Sequence, residues 1–126
     1  MLFNSGPLDY SLLALRLALA AVFAAHGWMK VSKWKSIPAP FRFLGLLEVI
    51  GAFLVILGFL THLSSIVFVI IMLGAMYHKI VKWKTPFMGE KGTGWELDLI
   101  ILAAALVLIA IGPGNVSFDA LWGFFL

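Results

Sequence analysis

"GFLTHLSS", residues 58–65, interrupts an apolar run that extends from Phe43 to Lys79 with Glu48 as its only internal charge. At about 1.5 Å per residue that run would make a helix of about 55 Å, whereas the hydrocarbon core of a membrane is about 30 Å thick. One crossing cannot use such a length. Gly58 can end a helix and Thr61 or Ser64 can cap the next, so two crossings joined by a tight turn are expected.

Outward from this turn, Leu8 to Lys30 supplies an earlier crossing and Trp95 to Ile111 a later one. The last is stopped by "GPGN", where Pro113 lacks a donor and two glycines permit a turn. The expected fold is all-α: a four-helix transmembrane bundle of two tandem hairpins, forming one domain over residues 1–126. Its spans are about 8–30, 43–60, 63–79 and 95–111, followed by a tail over 112–126.

Composition agrees with lipid as the solvent. Of 126 residues, 63% are hydrophobic and 12% charged, with a mean hydropathy of +1.07. A water-soluble domain carries about twice that share of charge. With no cysteine in the sequence, disulfides, thiolate metal sites and thiol relays within the chain are excluded. The start, "MLFNSGPLDY", lacks the basic flank of a secretory signal and leads into an apolar run too long for one, so it is expected to be retained.

The basic residues cluster beside apolar runs instead of tracking a phosphate backbone, so no nucleic-acid partner is expected. Lys30, Lys33, Lys35 and Arg42 fall between the first two spans, and Lys79, Lys82, Lys84 and Lys91 between the last two. With four crossings all eight lie on one side, as positive-inside topology requires, and both termini are extracytoplasmic. Trp28, Trp34, Trp83 and Trp95 would belt the cytoplasmic interface, with Tyr10 and Trp122 opposite.

Two stretches repeat an order. "HGWMKVSKWKSIP" (26–38) and "HKIVKWKTP" (78–86) each place a histidine at the end of an apolar helix, then KWK, then proline. Each is followed by a returning helix with a glutamate, Glu48 or Glu96. Such a duplication would be parallel, about an axis along the membrane normal. It would bring His26, Glu48, His78 and Glu96, one from each helix, to similar depth. Ionisable groups inside spans are costly and face a partner or a cavity, and Glu48 is the clearest case. For either histidine alone, a place at the interface beside lysines accounts for it equally well. Glu96 and Asp98 lie about 200° apart around a helix, so only one can face inward; Glu96 matches Glu48, and Asp98 could pair with a nearby lysine.

Arg16 lies about 15 Å from His26 along the first helix and belongs to no such cluster. Either it snorkels to the outer headgroups or it forms an ion pair with Asp119, folding the tail over the outer end of the bundle. Small residues, Ala14, Ala18, Ala21 and Ala25, Gly45, Gly51 and Gly58, and Ala103 to Ala105, would let helices approach closely. Phe23, Phe53, Phe59 and Phe68 read as packing or lipid-facing groups.

These residues together resemble the DoxX family of small prokaryotic membrane proteins. The resemblance runs through "LRLALAAVFAAHGWMK", "FLGLLEVIGAFLVILGFLTHLSS" and "GTGWELDLIILAAALVLIAIGPGNVSFDAL", with His26-Gly27 before Lys30, Glu48 with Gly51, Gly94-Trp95-Glu96, and GPG followed by Ser117 and Asp119. It implies a four-helix bundle in the prokaryotic cell membrane with a link to respiratory redox chemistry. One branch is similar to the membrane subunit of thiosulfate:quinone oxidoreductase; others look like partners of quinone reductases or oxidative-stress complexes. His26, Glu48, His78 and Glu96 match the family's polar positions, and Arg16 and Asp119 its outer ones.

Three functions are weighed. The first is a quinone-linked redox subunit, which could make it an oxidoreductase component, in which Glu48 and His26 serve catalysis and His78 and Glu96 complete a binding pocket near the cytoplasmic leaflet. No flavin or dinucleotide motif occurs, so electrons would come from a partner, such as a soluble redox protein docked on the Lys-rich loops. The second is a non-catalytic scaffold or a small-molecule or proton conduit, for which a homo-oligomer in the membrane lipid would supply enough interior. The third is a metal or haem site; the helical Glu-x-x-His spacing of di-metal bundles is absent, and no metal ligand is assigned.

Overall fold

The structure, a computed structural model, describes residues 6–89 and 94–123, and among these every regular element is helical. Helix α1 spans Pro7–Ser32, α2 Ala39–Leu57, α3 Thr61–Tyr77, α4 Glu96–Ile111 and α5 Phe118–Trp122. A short 3-10 turn, Trp34–Ser36, follows α1, and a π-helical turn, His78–Lys82, continues α3. Three segments, Pro7–Ser32, Ala39–Leu57 and Thr61–Lys82, are long and apolar enough to cross a membrane. The 16 residues of α4 cover about 24 Å, short of a full hydrocarbon core.

Local chemistry sets the ends. Pro7 and Pro40 occupy first turns, where a missing N–H costs nothing. Gly58 closes α2 in the left-handed region at φ +69, and the N–H of Phe59 then donates to Leu54 O at 2.9 Å. The expected cap of α3 by Thr61 or Ser64 is not found. The Asp119 carboxylate performs it from the far end of the chain, accepting from Leu60 N at 2.8 Å and Thr61 N at 2.9 Å. A carboxylate satisfies two orphan amides and complements the positive helix end, which a hydroxyl does less well.

Successive helices pack as neighbours: α1 along α2, α2 against α3 and α3 along α4, with a lighter contact between α1 and α4. The turn 33–38 and residues 83–89 and 94–95 therefore lie at one end, here the Lys-rich end, and the turn 58–60 lies with the α4–α5 connection at the other. At the centre, Phe23 and Phe68 stack with centroids 3.8 Å apart and planes 8° from parallel. Phe68 lies over Gly51, where a Cβ would come within 2.5 Å of the ring. Nearer the Lys-rich end α1 and α2 cross at Gly27 and Gly45; a Cβ on Gly27 would meet Gly45 O at 2.8 Å and Val49 N at 2.9 Å. Small residues thus bring two backbones together, the packing mode available where lipid removes the hydrophobic drive between helices. Around this core the outer faces are apolar, with Ile50, Phe53, Ile70 and Ile100 exposed.

Candidate functional site

The buried face of α1 is a narrow stripe of Leu12, Arg16, Leu19, Ala20, Phe23 and Gly27. Lys30 continues it, since positions 16, 23 and 30 recur every seven residues and stay within about 40° of one face. On α2 the stripe is Gly45, Glu48, Gly51, Ala52 and Val55. Lys30 starts beside Gly45, where a Cβ would lie 2.7 Å from its own. Its amine reaches one turn further along α2, toward the middle of the molecule, and donates to both Glu48 oxygens at 3.0 and 3.1 Å. A lysine at the end of a membrane helix ordinarily extends toward water. Lys30 instead turns inward to neutralise a carboxylate whose side chain is 3% exposed, while its own is 24% exposed.

The second hairpin repeats the device. Lys79, in the π-turn ending α3, places Nζ 3.0 Å from Asp98 Oδ2 in the first turn of α4. Asp98 is buried beside the positive end of α4, which favours its charge. The contact has ion-pair distance without hydrogen-bond geometry, so it is the looser of the two. Each hairpin thus carries a lysine from its first helix on a carboxylate of its second, at the same end of the molecule.

The expected convergence of His26, Glu48, His78 and Glu96 does not occur. His26 is exposed and its Nδ1 contacts Val22 O of its own helix at 2.8 Å; His78 is likewise exposed, with Nδ1 at 2.8 Å from Gly74 O. The reason is angular: His26 and His78 fall about 70° and 95° from the centres of their helices' buried stripes. Glu96 points about 200° from the α4 stripe and stays partly exposed, so Asp98 and not Glu96 is the inward carboxylate. Among the described residues no group of three His, Cys, Asp or Glu is placed to hold a metal ion. The expected pairing of Asp98 with a nearby lysine is found, with Lys79 as the partner. Lys30 and Lys79 are the members that residue pairing across the repeat missed; the seven-residue spacing Arg16, Phe23, Lys30 is the signal that could have found the first.

At the opposite end Arg16 is 1% exposed. Its Nε donates to Val55 O at 2.9 Å and Nη2 to Ile56 O at 2.8 Å, at the end of α2. Nη1 donates to Pro113 O at 3.1 Å and Val116 O at 2.6 Å, in the connection to α5. Asp119, also 1% exposed, holds the start of α3 and donates its own N–H to Gly58 O at 2.8 Å. The expected direct Arg16–Asp119 ion pair is absent: carbonyls at the end of α2 and in the connection to α5 satisfy the guanidinium, and amides at the start of α3 satisfy the carboxylate. The two charges nonetheless flank the same turn, and Gly58 leaves the room, since a Cβ there would lie 2.7 Å from Arg16 Nη2 and 2.4 Å from Ser117 Cβ. Asp9 adds a further tie, accepting from Asn115 N at 2.9 Å and Asn115 Nδ2 at 3.2 Å.

A family model described as DoxX matches residues 11–83, which include Arg16, Lys30, Glu48 and Lys79. A Bacillus subtilis (strain 168) protein named "Putative oxidoreductase CatD" is 28% identical over 120 residues, covering 85% of this chain and 83% of its own length. No solved structure matches the chain significantly.

Proposed function

The chain belongs to the DoxX family, and on that premise we propose that it is an integral membrane component of a quinone-linked redox system. In this proposal α4 joins the three longer helices as a fourth crossing, both termini are extracytoplasmic, and the Lys-rich end faces the cytoplasm of a prokaryotic cell. The family match and the oxidoreductase name of the Bacillus subtilis relative support the redox class.

One observation carries the choice of site: the Lys30–Glu48 pair, buried on the carboxylate side and reachable along the lysine stem. An ion pair held inside an apolar helix crossing is costly to assemble and marks a working position. Lys30 has more than one N–H and can donate to a carbonyl oxygen while still held by Glu48. Glu48, when it takes up a proton, releases the ammonium, so the pair can hold a proton near such an acceptor. A quinone, when bound, supplies the two-electron, two-proton acceptor chemistry. Electrons come from a partner protein, since the sequence carries no flavin or dinucleotide fingerprint.

The test is a titration of purified protein in nanodiscs with a short-chain ubiquinone and a menaquinone analogue, read by quenching of tryptophan emission. Saturable binding is expected, weakened at least tenfold in Glu48→Gln and Lys30→Met. If the wild type shows no saturable binding of either quinone, the proposal fails.

A second reading, a non-catalytic scaffold, is favoured by the way Arg16, Glu48 and Asp119 are each hydrogen-bonded within the chain. A double Lys30→Met, Glu48→Leu variant that folds and still supports the cellular redox phenotype would establish it.

A further inference from the structure

Two of the basic residues at the Lys-rich end are neutralised inside the chain, Lys30 by Glu48 and Lys79 by Asp98. Lys33, Lys35, Lys82 and Lys84 remain exposed and Arg42 half-buried. Among the described residues, no carboxylate lies within ion-pair distance of these five. Hydrogen-bonded turns present them: Lys33 N donates to Lys30 O at 3.2 Å and Ser36 N to Lys33 O at 2.9 Å. In the second hairpin Trp83 N donates to His78 O at 2.8 Å and Thr85 N to Lys79 O at 2.6 Å.

An aromatic ring stands between the cations in each turn. Trp34 and Trp83, the central residues of the two triplets, are 41% and 66% exposed, and Trp28 is 65% exposed. The Arg42 guanidinium lies 5.6 Å from the Trp34 ring centre and Lys82 Nζ 6.0 Å from that of Tyr77. Cations alone would suit any soluble anion. Exposed indoles beside them require a ligand with an apolar portion at the same level, because an indole is best placed where one side is apolar and the other wet.

We propose that each KWK turn binds the headgroup of an anionic phospholipid, its phosphate held by the lysines and, in the first turn, Arg42, with its upper acyl chain against the tryptophan. The two turns make two equivalent sites, one per hairpin, which is why the triplet is written twice. An acidic soluble protein would meet the same charges but would leave the indoles without apolar cover.

The test reconstitutes the full chain in phosphatidylcholine vesicles containing chain-brominated phosphatidylglycerol or chain-brominated phosphatidylcholine, and follows quenching of tryptophan emission. The expected result is preferential association of the anionic lipid by about fivefold or more, the factor one basic side chain contributes near an anionic surface. The preference should fall in about 0.5 M salt and vanish in the K33Q/K35Q/K82Q/K84Q variant, which keeps both internal ion pairs. Equal quenching by the two lipids in the wild type overturns the proposal. So does loss of the preference on adding inorganic phosphate or an acidic peptide at low millimolar concentration, which would assign a soluble anion or a protein partner instead. Should the quadruple variant not fold, the wild-type lipid preference and its salt dependence decide alone.

Discussion

Lys30 Nζ lies 3.0 Å from Glu48 Oε1 beside the close approach of α1 and α2 at Gly27 and Gly45. The close approach and the ion pair depend on each other. Two backbones separated only by glycines bring a lysine within reach of a carboxylate one turn deeper, and the neutralised carboxylate can then stay inside an apolar crossing.

Removing one member should therefore cost more than removing both. Lys30→Met or Glu48→Leu alone is expected to lose about 3 kcal/mol, the low end for a broken buried pair because the lysine is partly exposed. The double variant should recover most of that. Unfolding in mixed detergent micelles measures all three; additive losses would show that the pair is not coupled.

The second pair should matter less. Asp98 keeps the favourable field of the α4 N-terminus when its lysine is lost, so Lys79→Met is expected to cost about 1 kcal/mol. The same unfolding assay ranks the two lysines. A larger loss at Lys79 than at Lys30 would refute the geometric ordering.

Gly27→Leu should push α1 from α2, since its Cβ would sit 2.7 Å from Val49 Cγ2 and under 3 Å from backbone atoms. A loss of about 2 kcal/mol or more is expected, with the Lys30–Glu48 coupling weakened in the double-mutant cycle. Gly74→Ala, with nothing within 4 Å of the new Cβ, should be neutral or slightly stabilising, as alanine is the better helix former.

Arg16→Lys keeps the charge but cannot reach four carbonyls from two segments. It is expected to loosen residues 113–123, read as faster amide exchange there, with a stability loss of about 2 kcal/mol. Asp119→Ala should expose the Leu60 and Thr61 amides to exchange at a cost of about 1–2 kcal/mol. Unchanged exchange at those two amides would refute the capping role.

How far the sequence is legible differs by feature. The break at Gly58 is written locally, because a glycine followed by polar residues in an apolar run has few other uses. The tie between the first half of α1 and the tail is half legible: Arg16 and Asp119 stand out as charges in apolar surroundings, yet their true partners are backbone groups, which carry no sequence label. The histidine cluster misled because residues matched along the repeat need not match around the helix. His26 and His78 hold equivalent places in the order and sit on the wrong face.

By itself the sequence determined that the chain is helical, apolar and turned at Gly58, since hydropathy, helix-breaking residues and charge placement are properties of neighbours along the chain. Tertiary structure decided which charges meet. A shift of one residue rotates a side chain by about 100°, so whether Lys30 or His26 faces Glu48, and whether Asp98 or Glu96 faces Lys79, depends on how four helices are rotated against each other. That rotation is set by packing at Gly27, Gly45 and Gly51 under Phe68, contacts between segments far apart in the chain.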